Sequence, residues 1–397
     1  MTVSRSVKGP SDQGGLESVD NVVSGASGST RVASLTGIRA VAAILVVLTH
    51  AAYTTGKYGQ GYLGLVYSRA EIGVPIFFVL SGFLLFRPWV AAASRASDPV
   101  AATGYEAPSV RRYAWHRVRR IMPAYVVTVL IAYLLYHFRT AGPNPGHTWM
   151  GLFRNLTLSQ IYTDNYLFSY LHQGLTQMWS LAVEAAFYVV LPLVAYLLLV
   201  VLCRRRWRPG LLFFGLAVLA AVSPLWLTVV HDSTGLPDGA RLWLPTYMAW
   251  FVAGMALTVL SQLKVRGYGM VCVPLAVVCY FIASTPLAGE PTTSPAKLSE
   301  ALVKTFFYAV IAALLVAPPA LGDRGWYSRF LASRPMVFLG EISYEIFLIH
   351  LMIMELVMVE VMRDPVYTGS MFNLFVLTMV FTIPAAWLLH RFTRVRS

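Results

Sequence analysis

Leu35 to Ala52 reads LTGIRAVAAILVVLTHAA, a run apolar and long enough to cross a bilayer as a helix. It nevertheless carries Arg39 and His50. Eleven residues at ~100° each make about three turns plus ~20°, so the two side chains share one face, about 16 Å apart along the axis. A cation at membrane depth costs about 2.5–3.5 kcal/mol even on a lenient insertion scale, so it normally faces a polar interior and has a use. The competing reading lets Arg39 snorkel to the headgroups and leaves His50 idle at the far end. Two such residues on one face, in a chain with matching polar residues in other spans, favour function.

The whole chain fits that setting. Its 397 residues are 57% hydrophobic and 12% charged, about half the charge share of a soluble domain. The expected class is an all-α polytopic membrane protein. The formal net charge of +13 does not point to nucleic acid, because the basic residues fall in short clusters between apolar spans. Cys203, Cys272 and Cys279 lie in or beside apolar runs, without metal-ligand spacing or an obvious disulfide pair, and no metal is expected. Residues 1–33 are rich in Gly, Ser and Asp with no apolar period, and read as a disordered cytoplasmic tail. They contain no apolar h-region, so no cleavable signal peptide is expected and the first span serves as the insertion signal.

About ten spans are expected, near 35–53, 72–93, 120–138, 178–202, 211–231, 243–262, 268–286, 301–320, 337–361 and 371–390. They form one membrane domain over 34–392, followed by a short basic tail at 393–397. Basic residues crowd alternate loops. Arg111, Arg112, Arg117, Arg119 and Arg120 follow span 2, Arg204, Arg205, Arg206 and Arg208 follow span 4, and Arg391 and Arg394 follow the last. By the positive-inside rule both termini are cytoplasmic. The longest opposite loop, 139–177, carries aromatics (IYTDNYLFSYLH) that suit an interfacial or re-entrant segment.

This orientation puts Arg39 toward the cytoplasmic half and His50 near the outer mouth. Span 4, opening QMWSLAVEAAFYVVLPLV, puts Glu184 about two turns below the outer surface, at the depth of His50. A carboxylate that orients an imidazole is what general-base catalysis uses, and a structural polar contact between helices is an equal alternative. Ser81-Gly82 in span 2 is the kind of small pair that permits close helix packing. Arg117 and Arg120 share a face near the start of span 3, where guanidinium groups beside a helix N-terminus suit phosphate. Any cytoplasmic helix end also attracts arginines. Span 9, LGEISYEIFLIHLMIMELVMVE, holds Glu341, Glu345, His350, Glu355 and Glu360, with His350 mid-span and inward-facing.

LTGIRAVAAILVVLTH, FFVLSGFLL, RVRRIMPAY, WSLAVEAAFYVVLP and LGEISYEIFLIH together resemble, in order, the motifs of the acyltransferase-3 family of integral membrane acyltransferases, whose signature is R-x10-H. The resemblance covers residues 34–392. It implies transfer of an acyl group, commonly acetyl from acetyl-CoA, to hydroxyls of sugars, glycolipids or peptidoglycan-like acceptors, and in some relatives to small molecules such as macrolides. It implies His50, Glu184 and Arg39 as catalytic residues, and Arg117 and Arg120, with neighbouring Arg119, at the phosphates of the donor. Ser81, Trp179, Ser180, Tyr344 and His350 fall within the same motifs and are expected to line the substrate. The chain departs from the pattern at Pro75, where an acidic residue is usual, and at Ala185-Ala186, where Glu-Gln is usual. A fused C-terminal hydrolase-like domain, borne by some members, is not expected. Within the family the chain is similar to actinobacterial envelope acetyltransferases acting on trehalose monomycolate-type glycolipids.

The expected function is therefore O-acyl transfer, with acetyl as the expected group, from cytoplasmic acyl-CoA to a hydroxyl of an envelope glycolipid or glycan at the plasma membrane. A transporter or flippase for an acylated glycan is the rival, since intramembrane Arg, His and Glu also mark transport paths. Inverted repeats with broken helices would support that rival, and the sequence contains no recognisable repeat.

Overall fold

The computed structural model describes residues 14–97, 104–139, 142–166, 171–233, 235–291 and 297–394, with side chains from Val32 onward except Asp238. Every regular element among them is helical. In chain order these are α1 (Gly14–Thr54), α2 (Gly61–Ser68), α3 (Gly73–Ala96), α4 (Val110–Phe138), α5 (Trp149–Leu156) and α6 (Trp179–Ala195). There follow α7 (Pro209–Ala220), α8 (Val222–Asp232), α9 (Leu244–Gln262), α10 (Gly269–Ala283) and α11 (Leu298–Ala320). The chain closes with α12 (Trp326–Leu331), α13 (Arg334–Glu341), α14 (Ser343–Leu356) and α15 (Met371–Thr393). Of the tail expected over 1–33, residues 1–13 lie outside the described residues, and from Gly14 the backbone is helical and runs on into the first span. Residues 395–397 also lie outside them.

Eight helical segments among the described residues are long and apolar enough to cross a membrane. The molecule is an all-α polytopic membrane protein. Two of the ten expected spans take another form. The seventh is only α10, whose 15 residues reach ~22 Å at ~1.5 Å each. The ninth is not one helix: Ile342 leaves helical geometry (φ −97°, ψ 7°) and divides α13 from α14. There Ser343 Oγ donates back to the Gly340 carbonyl at 2.8 Å, a local bond that competes with the helix ladder. Glu341 and Glu345 therefore part company, the first exposed and the second buried.

Local signals set the helix starts. Ser109 accepts from the Arg112 N–H at 3.4 Å, Thr148 from Gly151 at 3.0 Å and Ser370 from Asn373 at 3.3 Å, each satisfying a donor that the first turn leaves open. The most extensive helix pairing is α3 on α9. There Gly82 rides over the Phe251 carbonyl and Gly254 over that of Val79, so a Cβ at either would strike backbone. Thr258 Oγ1 closes the crossing on the Phe83 carbonyl at 2.8 Å. Gly82 thus serves the close packing that its small size permits.

Of the three cores among the described residues, two flank the site. One gathers α3, α6, α7, α9 and α11. The other gathers α1, α4, α14 and α15. Carboxylates of the ninth span tie the second together: Glu345 meets His390 Nδ1 at 2.9 Å, Glu355 accepts the Tyr136 hydroxyl, and Glu360 pairs with Arg139. The seam between the two cores holds the site described next.

The fourth span begins earlier than residue 178. Gln173–Met178 is a 3₁₀ turn inside the bundle, with Gly174, Leu175, Gln177 and Met178 buried. Six residues at ~2.0 Å each sink Glu184 by roughly 12 Å more than a start at Met178 would. That places it away from His50. In the long loop ahead of the turn, α5 leaves Trp149 and Phe153 exposed.

Candidate active site

The seam opens into a cavity of about 310 Å³, at the low end of the ~300–1,000 Å³ usual for small-molecule sites. Its polar lining comes from five helices. Arg39 stands on α1, Ser81 on α3, Arg117 and Arg120 on α4, Ser180, Glu184 and Tyr188 on α6, and Ser343 and Tyr344 on α14. Phe77, Phe78, Leu80, Leu84, Leu181 and Phe347 supply apolar wall. Seven of the residues singled out in the sequence meet here: Arg39, Ser81, Arg117, Arg120, Ser180, Glu184 and Tyr344.

Within the cavity Glu184 accepts hydrogen bonds from Ser81 Oγ and from the Tyr188 hydroxyl. It does not pair with His50. It lies instead where its charge, with those of Arg117 and Arg120, acts on Arg39. Three guanidinium groups thus face one carboxylate, and none of the three closes an ion pair among the described residues. Arg117 Nε is buried with no hydrogen-bond partner. Excess positive charge with unfilled donors in a low-dielectric seam is stabilised by an anion that brings acceptors. Tyr344 instead donates to the Ile121 carbonyl at 3.1 Å and Ser180 to that of Gln177 at 3.2 Å. Both hold helix to helix.

Phe77 and Phe347 close the far wall, their rings 6.2 Å apart. Beyond them is a second polar centre. His350 lies one turn past Phe347 and its ring meets that of His50 at 5.1 Å. His350 Nδ1 donates to the carbonyls of Phe347 (2.8 Å) and Ile346 (3.1 Å), so its Nε2 is an acceptor. His50 Nδ1 lies 2.8 Å from the Val46 carbonyl and 3.3 Å from His350 Nε2. Two acceptors around it assign the proton to Nδ1 and leave the His50 Nε2 lone pair available. His350 thus occupies the position beside His50 that the sequence reading gave to Glu184.

Two expected site residues, Arg119 and Trp179, stand apart from the cavity and from this pair. The Arg119 guanidinium lies over the Trp115 ring at 5.8 Å. Trp179 packs on Tyr247, centroids 5.1 Å apart. His350, expected as lining, is fully buried behind the aromatic wall. Two residues were missed. Tyr188 was legible as i+4 from Glu184, the spacing that stacks side chains on one helical face. Glu71 was legible as an acid opening an apolar span. It accepts from Lys304 Nζ at 2.6 Å and the Tyr308 hydroxyl at 2.7 Å, and its charge reaches His50.

The polytopic helical bundle thus carries an arginine-lined cleft at one end of a seam and an imidazole pair at the other. The chain belongs to the acyltransferase-3 family, whose acyltransferase domain matches residues 32–391. It is similar to Acyltransferase MdmB of Streptomyces mycarofaciens, 29% identical over 341 residues that cover 82% of this chain and 79% of that protein. It is also similar to Peptidoglycan O-acetyltransferase OatA of Listeria monocytogenes, 25% identical over 348 residues that cover 82% of this chain and 50% of that protein. The chain thus spans about half the length of the second relative. No solved structure matches. The protein is an acyltransferase with several apolar helices in the lipid bilayer.

Proposed function

We propose that the protein is a plasma-membrane O-acyltransferase that moves an acetyl group from acetyl-CoA to a hydroxyl of an envelope glycolipid or glycan. The observation that carries this reading is the division of the seam. Arg39, Arg117 and Arg120 outnumber the carboxylate on one side of Phe77 and Phe347, and His50 with a free Nε2 stands on the other. The basic loops favour a cytoplasmic position for the arginine end, where acyl-CoA is found. Arg117 and Arg120 then hold the donor's phosphates at the mouth. A cavity of about 310 Å³ takes the narrow pantetheine arm and leaves the nucleotide outside. The arm runs past Arg39 and the aromatic wall toward His50.

The chemistry follows from the tautomer. The acceptor hydroxyl gives its proton to His50 Nε2 as its oxygen attacks the thioester carbonyl. The new C–O bond forms, the C–S bond breaks, and the departing thiolate takes the proton from His50. The His50 Nδ1–H stays directed at Val46 and His350, which keeps the ring oriented through the cycle. Glu184, held by Ser81 and Tyr188, keeps Arg39 in place beside the arm.

The test uses purified protein in nanodiscs with radiolabelled acetyl-CoA and extracted envelope lipid. Alkali-labile label in the lipid is the expected result, absent with His50→Ala. Free CoA without labelled lipid would remove the glycolipid acceptor, and neither product would overturn the reading as a whole.

A further inference from the structure

Glu71 has the surroundings of a ligand-binding group and not of a structural ion pair. It sits in the 3₁₀ turn Arg69–Ile72 that joins α2 to α3. Both of its protein contacts, Lys304 Nζ at 2.6 Å and Tyr308 Oη at 2.7 Å, fall on the same oxygen, Oε1. Among the described residues Oε2 accepts from nothing. The carboxylate side chain keeps 39% of its surface accessible while that of Lys304 keeps 16%. A pair that served only to join the turn to α11 would use both oxygens and bury them. Here one oxygen is engaged while the side chain keeps accessible space beside it.

The walls of that space are fixed. The buried Arg69 guanidinium holds the carbonyls of Ala283 at 2.8 Å, Ala288 at 3.1 Å and Gly289, which locks the end of α10 and the turn after it to the Glu71 turn. Tyr280 ties back to the Val66 carbonyl at 2.6 Å, and Tyr58 to Thr49 Oγ1 at 2.6 Å, one residue from His50. The charge of Glu71 reaches His50, Tyr58 and Tyr247. Thr49 Oγ1 also donates to the Ser68 carbonyl at 3.2 Å, which packs the Glu71 turn on α1 beside the partly accessible His50.

Resting on the acyl-transfer reading, we propose that Glu71 Oε2 is an acceptor subsite that receives a second hydroxyl of the molecule whose first hydroxyl reacts at His50. The ligand class is a polyhydroxylated ring. Its hydroxyl donates to a carboxylate, the stronger kind of hydrogen bond, and its apolar face lies on tyrosine rings. An amine would find the charge of Glu71 already met by Lys304. A simple alcohol has no hydroxyl left for Oε2.

The test measures CoA release from acetyl-CoA by the full chain in nanodiscs, with methyl α-D-glucopyranoside or 1-propanol as the acceptor. The variant is Glu71→Gln, whose amide oxygen keeps the Lys304 and Tyr308 contacts. The expected result is a roughly tenfold fall in the glucoside-over-propanol ratio of kcat/KM, in line with loss of a charge-assisted hydrogen bond. An unchanged ratio overturns the subsite. If the unaltered protein releases no CoA with either acceptor, the acyl-transfer reading fails and the subsite is judged by saturation-transfer NMR of methyl α-D-glucopyranoside. Signals lost in Glu71→Gln support it, and equal signals in both proteins overturn it.

Discussion

The two ends of the seam handle polar groups in opposite ways. At the arginine end, three cations face one carboxylate, and Arg117 Nε is buried without a partner. At the histidine end, both imidazoles are already engaged, by Val46, Ile346, Phe347 and each other. On the proposed mechanism the donor's phosphates meet the unfilled donors of the first end. The second is oriented in advance, with one lone pair spared. Electrostatic capture tolerates loose geometry, whereas proton transfer needs the reacting atoms within hydrogen-bond reach. On the proposed mechanism each end is built for its own half of the reaction, and substitutions at the two ends should fail differently.

The largest effect is expected at His50. His50→Ala removes the base and should lower the rate of acyl transfer by ~10²–10⁴-fold, read as labelled acetyl appearing in acceptor. Turnover close to that of the unaltered protein would erase the distinction between the ends. His350 offers a sharper cut, because it acts through His50. His350→Leu should lower kcat by roughly ten- to a hundredfold and leave the donor KM in place. His350→Gln, which still offers an oxygen to the His50 Nδ1–H, should recover most of the loss. Equal damage from both variants would reduce His350 to packing.

A smaller effect separates these imidazoles from one outside the spans. His172 is buried against Tyr133 and Tyr136, with His147 Nδ1 3.3 Å and Asn144 Nδ2 3.5 Å from its Nε2. Burial first and His147 second push its pKa down to about 3. The folded loop therefore keeps the ring neutral, while an opened loop takes up a proton below the ordinary value of ~6.5. Stability is unaffected above that pH and falls by about 1.4 kcal/mol per unit as pH drops below it toward 3. Amide exchange across 142–166, corrected for the intrinsic pH dependence of exchange, should rise by about fivefold between pH 6.5 and 5.5. In His172→Phe that rise should vanish. A rise that persists would locate the proton uptake elsewhere.

How much of this was legible in the sequence follows from the range of the interactions involved. Helical class, the shared face of Arg39 and His50, and the gathering of arginines near α4 are local properties, set by apolar runs and the 3.6-residue turn. The partner of His50 was not local. Its assignment to Glu184 depended on counting depth from residue 178, and a 3₁₀ turn buried ahead of α6 moved Glu184 to the arginines. Nothing in the residues 173–178 themselves (QGLTQM) announces that they enter the bundle. The division of the ninth span at Ile342 was hidden for a similar reason, because the apolar run continues through it without Pro. Glu71 was visible as a residue, but its setting depends on Lys304 and Tyr308, which lie more than 230 positions away.

The central claim is that the donor is held at the arginine end and the proton is moved at the histidine end. Calorimetric titration of acetyl-CoA into nanodisc-embedded protein tests it directly, comparing His50→Ala with the double variant Arg117→Gln, Arg120→Gln. Each lost charge-assisted contact costs about 1.5–3 kcal/mol. The double variant should therefore lose at least ten- to a hundredfold in affinity, while His50→Ala binds the donor as the unaltered protein does. Affinity lost in His50→Ala and retained in the double variant would contradict the claim.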